Sequence, residues 1–175
     1  SGDASNNVLL SDGGDDTLFG MAGDDVIDGN SGHDSLHGGD GNDSIFGGSG
    51  DDFLVGGAGD DLLDGGSGAD SFVFSASAGE GNDTILDFNS AEDTLSFADL
   101  LDGSDPDLMD YVDSIGVSVS GEDLVLTVPD KADPDVNAPT TVTLAGLGEE
   151  YSAYDGGNLG DIIDNAAINV DTYGS

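Results

Sequence analysis

Residues 38–46 read GGDGNDSIF, residues 47–55 read GGSGDDFLV and residues 56–64 read GGAGDDLLD. The three stretches share a nine-residue pattern with Gly at positions one, two and four, Asp at position six and an apolar residue at position eight. The pattern extends without a gap in both directions, so that eight rows of nine fill residues 2–73. A fixed period over this length predicts a repeat architecture. We refer to the nine positions of a row as columns one to nine.

Two columns decide the predicted fold. The sixth column is Asn7 in the first row and Asp in all others, and the eighth column is always apolar. Six residues rich in Gly and Asp favour a turn, and three residues around an apolar side chain favour a short strand. Two rows then make one coil, and successive inward side chains belong to opposite sheets. One sheet takes Leu9, Ile27, Ile45 and Leu63, and the other takes Leu18, Leu36, Leu54 and Phe72. The prediction is an all-β fold, a parallel β-roll with 18 residues per coil.

Composition excludes several classes of function. The chain has 175 residues, with 33 Asp, 5 Glu and Lys131 as the only basic residue besides two His, for a net charge of −37. Such a chain cannot neutralise nucleic-acid phosphates or insert into an anionic membrane surface. It has no cysteine for disulfides or thiolate metal sites. Ser1 in place of Met indicates a fragment of a longer protein, and we expect a monomer.

A cation is needed between the turns. The core is a single thin stack of apolar side chains, while the Asp columns would repel one another. Calcium fits this composition, because it takes 6–8 oxygen ligands from carboxylates and carbonyls at flexible geometry. Magnesium demands stricter geometry, and zinc prefers His or Cys. We therefore expect each Ca²⁺ to lie between the turn of one row and the turn two rows on.

The repeat continues irregularly beyond residue 74. Residues 79–88 (GEGNDTILDF) restart the motif and residues 89–97 (NSAEDTLSF) add a degenerate row, which places Asp83 and Asp93 in the sixth column. Ten turns bridged in this way predict about eight calcium sites. The predicted side-chain ligands are Asn7, Asp16, Asp25, Asp34, Asp43, Asp52, Asp61, Asp70, Asp83 and Asp93. The predicted carbonyl ligands include Gly14, Gly20, Gly23, Gly29, Gly32, Gly38, Gly39, Gly41, Gly47, Gly48, Gly50, Gly56, Gly57, Gly59, Gly65, Gly66, Gly68 and Gly81.

The fifth column is also rich in Asp and Asn, and it contains His33 and Ala69. We attribute this enrichment to tolerance of left-handed backbone, with calcium ligation by these side chains as the alternative. No HExxH or GxSxG arrangement occurs, so no catalytic residues are predicted and the chain is not expected to be an enzyme.

The remaining residues, 98–175, lack the Gly-Asp period. Their pattern predicts a helix from Asp105-Pro106 to Val112, a hairpin over 116–128, a strand over 140–147, and a helical turn and last strand near the end. We interpret 98–175 as a small mixed α+β domain that caps the β-roll of residues 1–97.

The nine-residue pattern resembles the repeats of RTX (repeats-in-toxin) proteins, and the tail is most similar to the C-terminal end of large bacterial RTX adhesins. The resemblance implies that sixth-column carboxylates and turn carbonyls bind Ca²⁺. It also implies export from a Gram-negative bacterium by a type I ABC transporter complex, without a cleaved N-terminal signal, to the cell surface or medium. The module would stay unfolded in the low-calcium cytosol and fold outside. An alternative is an accessory module of a secreted protease, lipase or alginate epimerase. Ice binding is disfavoured, since only Thr17 supplies a threonine in the outward seventh column of the eight rows.

Overall fold

The computed structural model describes residues 1–75, 80–97, 115–129 and 139–147, together with the backbone of residues 170–171. All regular elements within these ranges are strands. They are β1 (Val8–Leu10), β2 (Thr17–Ala22), β3 (Val26–Asp28), β4 (Ser35–Asp40), β5 (Ser44–Ser49), β6 (Phe53–Ala58), β7 (Leu62–Ser67), β8 (Ser71–Phe74), β9 (Asn82–Ile85), β10 (Thr94–Phe97), β11 (Gly116–Ser120), β12 (Asp123–Val128), β13 (Thr140–Leu144) and β14 (Val170–Asp171).

Successive strands of the repeat alternate between two sheets. One sheet has the order β1-β3-β5-β7-β9-β13-β12-β11, and the other has the order β2-β4-β6-β8-β10-β14. Neighbouring strands of the repeat are parallel and one coil apart, so that Leu9 is aligned with Ile27 and Leu36 with Leu54. The fold is an all-β parallel solenoid with coils of about 18 residues, as the period predicts.

The eighth column forms the core between the two sheets. From the third row to the eighth its side chains have no exposed surface; these are Ile27, Leu36, Ile45, Leu54, Leu63 and Phe72. Leu9 and Leu18 are only partly buried, because β1 and β2 are the outermost strands of their sheets. Each inward side chain occupies the same place in its coil, and this holds the turns of successive coils in register.

The two irregular rows keep this register in spite of their extra residues. Ile85 is aligned with Leu63 and Leu95 with Phe72, and all four side chains are fully buried. Phe88 packs against Phe72, and the centroids of the two rings are 6.0 Å apart. The extra residues of these rows therefore lie outside the paired strands β9 and β10.

The described part of the tail adds strands to both sheets of the roll. β11 and β12 form the predicted antiparallel hairpin, and Gly121 in its turn has a φ of 70°. β13 pairs antiparallel with β12 and parallel with β9. Leu126, Val142 and Leu144 are buried in the same cluster as the core of the roll. β14 adds to the other sheet by pairing parallel with β10.

Several predicted elements of the tail lie outside the described residues. These are the helix over 105–112, the turn over 158–164 and the first part of the last strand. The described segments contain no helix, so an α+β cap is not shown, and the boundary at residue 97 stays a prediction. None of them forms a helix that could cross a membrane.

Candidate metal centre

The turns between the sheets depend on left-handed backbone in columns two and four. Gly48 and Gly50 have φ values of 108° and 124°, and their regular equivalents in other rows behave alike. A Cβ at Gly50 would collide with the carbonyl oxygen of Gly32 in the preceding coil. Met21 and Asn30 replace second-column glycines and keep the same conformation, with φ values of 87° and 64°. The second column is thus defined by its backbone conformation.

The sixth-column side chains form a hydrogen-bonded ladder along each row of turns. From Asp25 onward, the Oδ1 atom of each sixth-column Asp accepts a bond from the backbone N–H of the sixth-column residue one coil earlier. Asp43 Oδ1 accepts from Asp25 at 2.7 Å, and Asp61 Oδ1 accepts from Asp43 at 2.8 Å. The ladders continue into the irregular rows, since Asp83 accepts from Asp61 and Asp93 accepts from Asp70, each at 3.0 Å.

The second carboxylate oxygen has no partner at most of these positions. Among the described residues it is buried and has no hydrogen-bond partner in Asp25, Asp34, Asp43, Asp52, Asp61 and Asp83. Buried polar atoms in folded proteins almost always have a partner, so six equivalent exceptions require an explanation. A cation bound at each Oδ2 would supply the missing interaction.

Five of these oxygens, those of Asp25, Asp34, Asp43, Asp52 and Asp61, lie at a place that only a first-column glycine leaves open. The Cβ position of Gly47 lies 2.5 Å from Asp52 Oδ2 and 2.6 Å from the carbonyl oxygen of Gly65 in the next coil. Gly29 has the same surroundings, with Asp34 Oδ2 at 2.5 Å and the carbonyl of the next coil's first-column glycine at 2.8 Å. A carboxylate oxygen and a carbonyl oxygen from adjacent coils therefore converge on one small space. Oxygen donors of these two kinds are the ligands that calcium prefers.

The predicted glycine carbonyls divide into two groups by direction. First-column carbonyls such as that of Gly38 face the preceding coil and lie beside its unpartnered carboxylate. Second- and fourth-column carbonyls such as those of Gly39 and Gly41 face the following coil, where they contact glycines of the same columns. Of the predicted carbonyl ligands, those of the first column thus lie nearest to the sixth-column Oδ2 atoms.

Side chains alone do not complete a site. Among the described residues, no group of three or more His, Cys, Asp or Glu side chains is placed to hold a metal ion. A bound ion would therefore take most of its ligands from turn carbonyls, and this favours calcium over zinc.

The first row has an amide in place of the carboxylate. Asn7 Oδ1 lies beside Gly2 and the carbonyl of Gly20, in the position that Oδ2 has in the later rows. It also accepts a bond from the Asp3 N–H at 2.7 Å. Asn7 thus presents a neutral oxygen to the first candidate site.

The last level of the two ladders is not equivalent. Asp83 keeps an unpartnered Oδ2, whereas Asp93 Oδ2 accepts a bond from the Asn89 N–H at 2.8 Å. Val142 of β13 is aligned with Asp83 and offers no carboxylate for a further rung. The predicted ligands Asp83 and Asp93 therefore occupy different environments.

Burial raises the pKa of six ladder carboxyls, those of Asp43, Asp52, Asp61, Asp70, Asp83 and Asp93. The pKa rises to about 8 for Asp83, to about 7 for Asp61 and to about 6 for Asp70. Desolvation is the largest cause at each position, the hydrogen bond from the preceding coil opposes it, and repulsion by neighbouring carboxylates adds to it. Without a counter-ion, full ionisation of the ladders at neutral pH is unfavourable.

The fifth column was misinterpreted from the sequence. Among the described non-glycine residues, a positive φ occurs only at Met21 and Asn30, which belong to the second column. Fifth-column side chains instead accept hydrogen bonds from the backbone of the next coil, as in Asp60 N–H to Asn42 Oδ1 at 2.9 Å. The enrichment in Asp and Asn was the available signal, and its interpretation as left-handed backbone was wrong.

The family comparison agrees with this geometry. The model of the RTX calcium-binding nonapeptide repeat matches residues 1–36 and 37–72. These residues are RTX calcium-binding nonapeptide repeats, and they form a β-roll with stacked Asp ladders. No curated protein matches the chain.

Solved structures with similarity to the chain include an extracellular lipase and two epimerase subunits. The Serratia marcescens extracellular lipase LipA is 25% identical with a TM-score of 0.47, covering 86% of this chain and 19% of the lipase. The AlgE6R3 subunit of the Azotobacter vinelandii mannuronan C5-epimerase is 24% identical with a TM-score of 0.42, covering 89% of this chain and 77% of the subunit. The AlgE6R2 subunit is 28% identical with a TM-score of 0.32, covering 81% and 86%.

Proposed function

We propose that the chain is a non-catalytic module of a secreted bacterial protein whose folding is driven by calcium. The observation that carries this proposal is the series of buried Oδ2 atoms without a hydrogen bond among the described residues, of which those of Asp25, Asp34, Asp43 and Asp52 lie beside a carbonyl of the next coil. An ion that binds only the folded chain stabilises it by about 2.7 kcal/mol per site at 100 times its Kd. Extracellular calcium modules have Kd values of about 10⁻⁴–10⁻³ M, so several such sites act as a switch between cytosol and medium.

Export through a type I system follows from the same property. RTX repeats are typical of extracellular bacterial proteins secreted in this way. A chain that remains unfolded where calcium is scarce can be threaded through a transporter, and it folds once it meets millimolar calcium outside. We assign the export signal to residues 98–175 and the calcium-binding roll to residues 1–97.

The parent protein is a separate question. An adhesin parent has no support in the family match or in the described residues, so we do not include it in the proposal. The alternative is that the chain is an accessory module of a secreted enzyme, such as a lipase or an alginate epimerase. The similar solved structures belong to proteins of these two kinds.

Far-UV circular dichroism of the purified chain tests calcium-driven folding. We expect an unfolded spectrum in EDTA and a β-rich spectrum in millimolar CaCl₂. The same concentration of MgCl₂ is the control and should have little effect, because magnesium gives up its waters reluctantly. A β-rich spectrum in EDTA at pH 8, where the ladder carboxyls bind the fewest protons, would refute the proposal.

Fusion to an unfolded passenger tests the export assignment. We expect residues 98–175 to direct the passenger into the medium of cells that express a type I transporter. Residues 1–97 fused to the same passenger are the control and should leave it in the cytosol. If the first passenger also stays in the cytosol, the assignment of the signal is wrong.

A further inference from the structure

The turns contain a second ladder, formed by the fifth column. From Asn6 to Asp60, the side chain of each fifth-column residue accepts a hydrogen bond from the backbone N–H of the fifth-column residue in the next coil. In one row of turns Asn6, Asp24, Asn42 and Asp60 accept bonds of 2.9–3.0 Å in succession. In the other row Asp15, His33 and Asp51 do the same at 2.9–3.0 Å.

This second ladder runs in the opposite direction to the sixth-column ladder. Within one turn, the N–H of Asn42 donates back to Asp24 of the preceding coil, at 3.0 Å. The next N–H along the chain, that of Asp43, donates forward to Asp61 of the following coil, at 2.8 Å. These two N–H groups belong to the peptide groups on either side of the Asn42 Cα, and their opposed hydrogen bonds fix the orientation of both. The second peptide group ends at the Cα from which the Asp43 carboxylate projects.

The chemistry of the column indicates an acceptor and not a metal ligand. Asp, Asn and His all make the same bond, the last through the His33 Nδ1 atom at 2.9 Å from the Asp51 nitrogen. A calcium site would not accept an imidazole in place of a carboxylate. The column is also exposed, whereas the sixth-column acids from Asp25 onward are buried.

We propose that the fifth-column side chains are positioning residues, which orient the turn so that the sixth-column Oδ2 faces the ion, and that they do not bind calcium themselves. The inference rests on the proposed function, since it assumes that calcium binds at the sixth column. It follows that this column needs an acceptor atom but no negative charge. Asn should therefore replace Asp in the fifth column, although it cannot do so in the sixth.

Two double variants of the full chain separate these roles. Asp24→Asn/Asp60→Asn removes two charges and keeps both acceptors, while Asp24→Ala/Asp60→Ala removes the same charges and both acceptors. In saturating calcium we expect the Asn pair to keep the wild-type urea midpoint. The Ala pair should lower it by about 1 M, as expected for two hydrogen bonds in a protein with a typical urea dependence. A wild-type midpoint in the Ala pair would overturn the positioning role.

The ions themselves provide the second measurement. Bound calcium per chain should be the same in the wild type and both double variants, whereas Asp43→Asn should lose bound calcium. Europium luminescence lifetimes in H₂O and D₂O, with Eu³⁺ in place of calcium, should show more water per ion in the Ala pair and not in the Asn pair. Loss of calcium from the Asn pair would show that the fifth column ligates the ion. Failure of the proposed function is distinguishable, because the wild type would then fold in EDTA.

Discussion

At the scale of the residue, most sixth-column Asp residues use their two oxygens for different purposes. In Asp43 one oxygen accepts the Asp25 N–H, and the other is buried with no hydrogen-bond partner in the described part of the chain. The first links neighbouring coils, and the second is available to an ion. Asp16 lies in the first turn of its ladder and is only partly buried, although its N–H still donates to Asp34.

This difference predicts an unequal effect of removing the two carboxylates. Asp43→Ala loses an ion ligand and a bond to a charged acceptor, so the free energy of unfolding in calcium should fall by about 3 kcal/mol. Asp16→Ala should cost only about 1 kcal/mol, because its ligand oxygen is less buried. Urea unfolding in millimolar calcium measures both. Equal losses would contradict a shared stack of ions.

Met21 carries backbone strain that a glycine would relieve. Its φ of 87° is unfavourable for a side chain with a Cβ, and its side chain is 54% exposed, so it contributes little packing. We expect Met21→Gly to stabilise the calcium-bound chain by about 1 kcal/mol, as release of strain outweighs the added freedom of the unfolded chain. Asn30→Gly is the matched control and should change stability less, since Asn tolerates this conformation. A destabilised Met21→Gly in thermal unfolding would contradict the argument.

The columns show why some residue roles were predictable from the sequence and others were not. A strict period fixes which side chain points inward, so Leu54 and Asp52 could be assigned without a structure. The fifth column could not be assigned, because Asn and Asp are favoured both by left-handed backbone and by the acceptor role seen at Asn42. Only the geometry distinguishes the two explanations.

At the scale of the element, β13 determines how the described part of the tail joins the roll. It pairs with β9, which lies far away in the sequence. The hydrogen bond from Thr141 Oγ1 to Asn82 Oδ1, for example, joins two residues that are 59 positions apart. No repeat connects the two segments, so the sequence predicted the strand and the hairpin but not their partner. β13 continues the inward pattern with Val142 and Leu144 while it ends the Asp ladder.

Breaking this junction should weaken the response to calcium. Thr141→Pro removes the N–H that donates to the Gly81 carbonyl at 3.1 Å, and it also removes the side-chain bond to Asn82. We expect a higher calcium concentration at the folding midpoint, followed by circular dichroism. Thr141→Val is the control; it keeps the N–H and should shift the midpoint less. An unchanged midpoint in Thr141→Pro would show that the roll folds independently of β13.

At the scale of the whole molecule, the net charge of −37 makes protons and calcium alternative ways to neutralise the ladders. The raised pKa values of Asp70, Asp61 and Asp83, at about 6, 7 and 8, belong to the folded chain without ions. In the unfolded chain these groups return to their ordinary value of 3.8. Between about pH 4 and pH 8 the folded, metal-free chain therefore binds more protons than the unfolded chain.

The sign of the pH dependence follows from this difference. Whatever stability the metal-free fold has must increase as the pH falls from 8 to 5.5, because protonation is tighter in the folded state. With calcium bound, the ladder carboxylates are ionised in both states, and stability should change little over the same range. We expect circular dichroism in metal-free buffer to show more β-structure at pH 5.5 than at pH 8, with no such difference in saturating calcium. Asp61→Asn/Asp83→Asn removes the two groups whose pKa values are raised most and should flatten the pH dependence of folding in metal-free buffer. This variant therefore separates the titration of these two groups from the general loss of charge repulsion in acid. A metal-free spectrum that is the same at both pH values, or more folded at pH 8, would show that burial of the ladder carboxyls does not govern the folding of this chain.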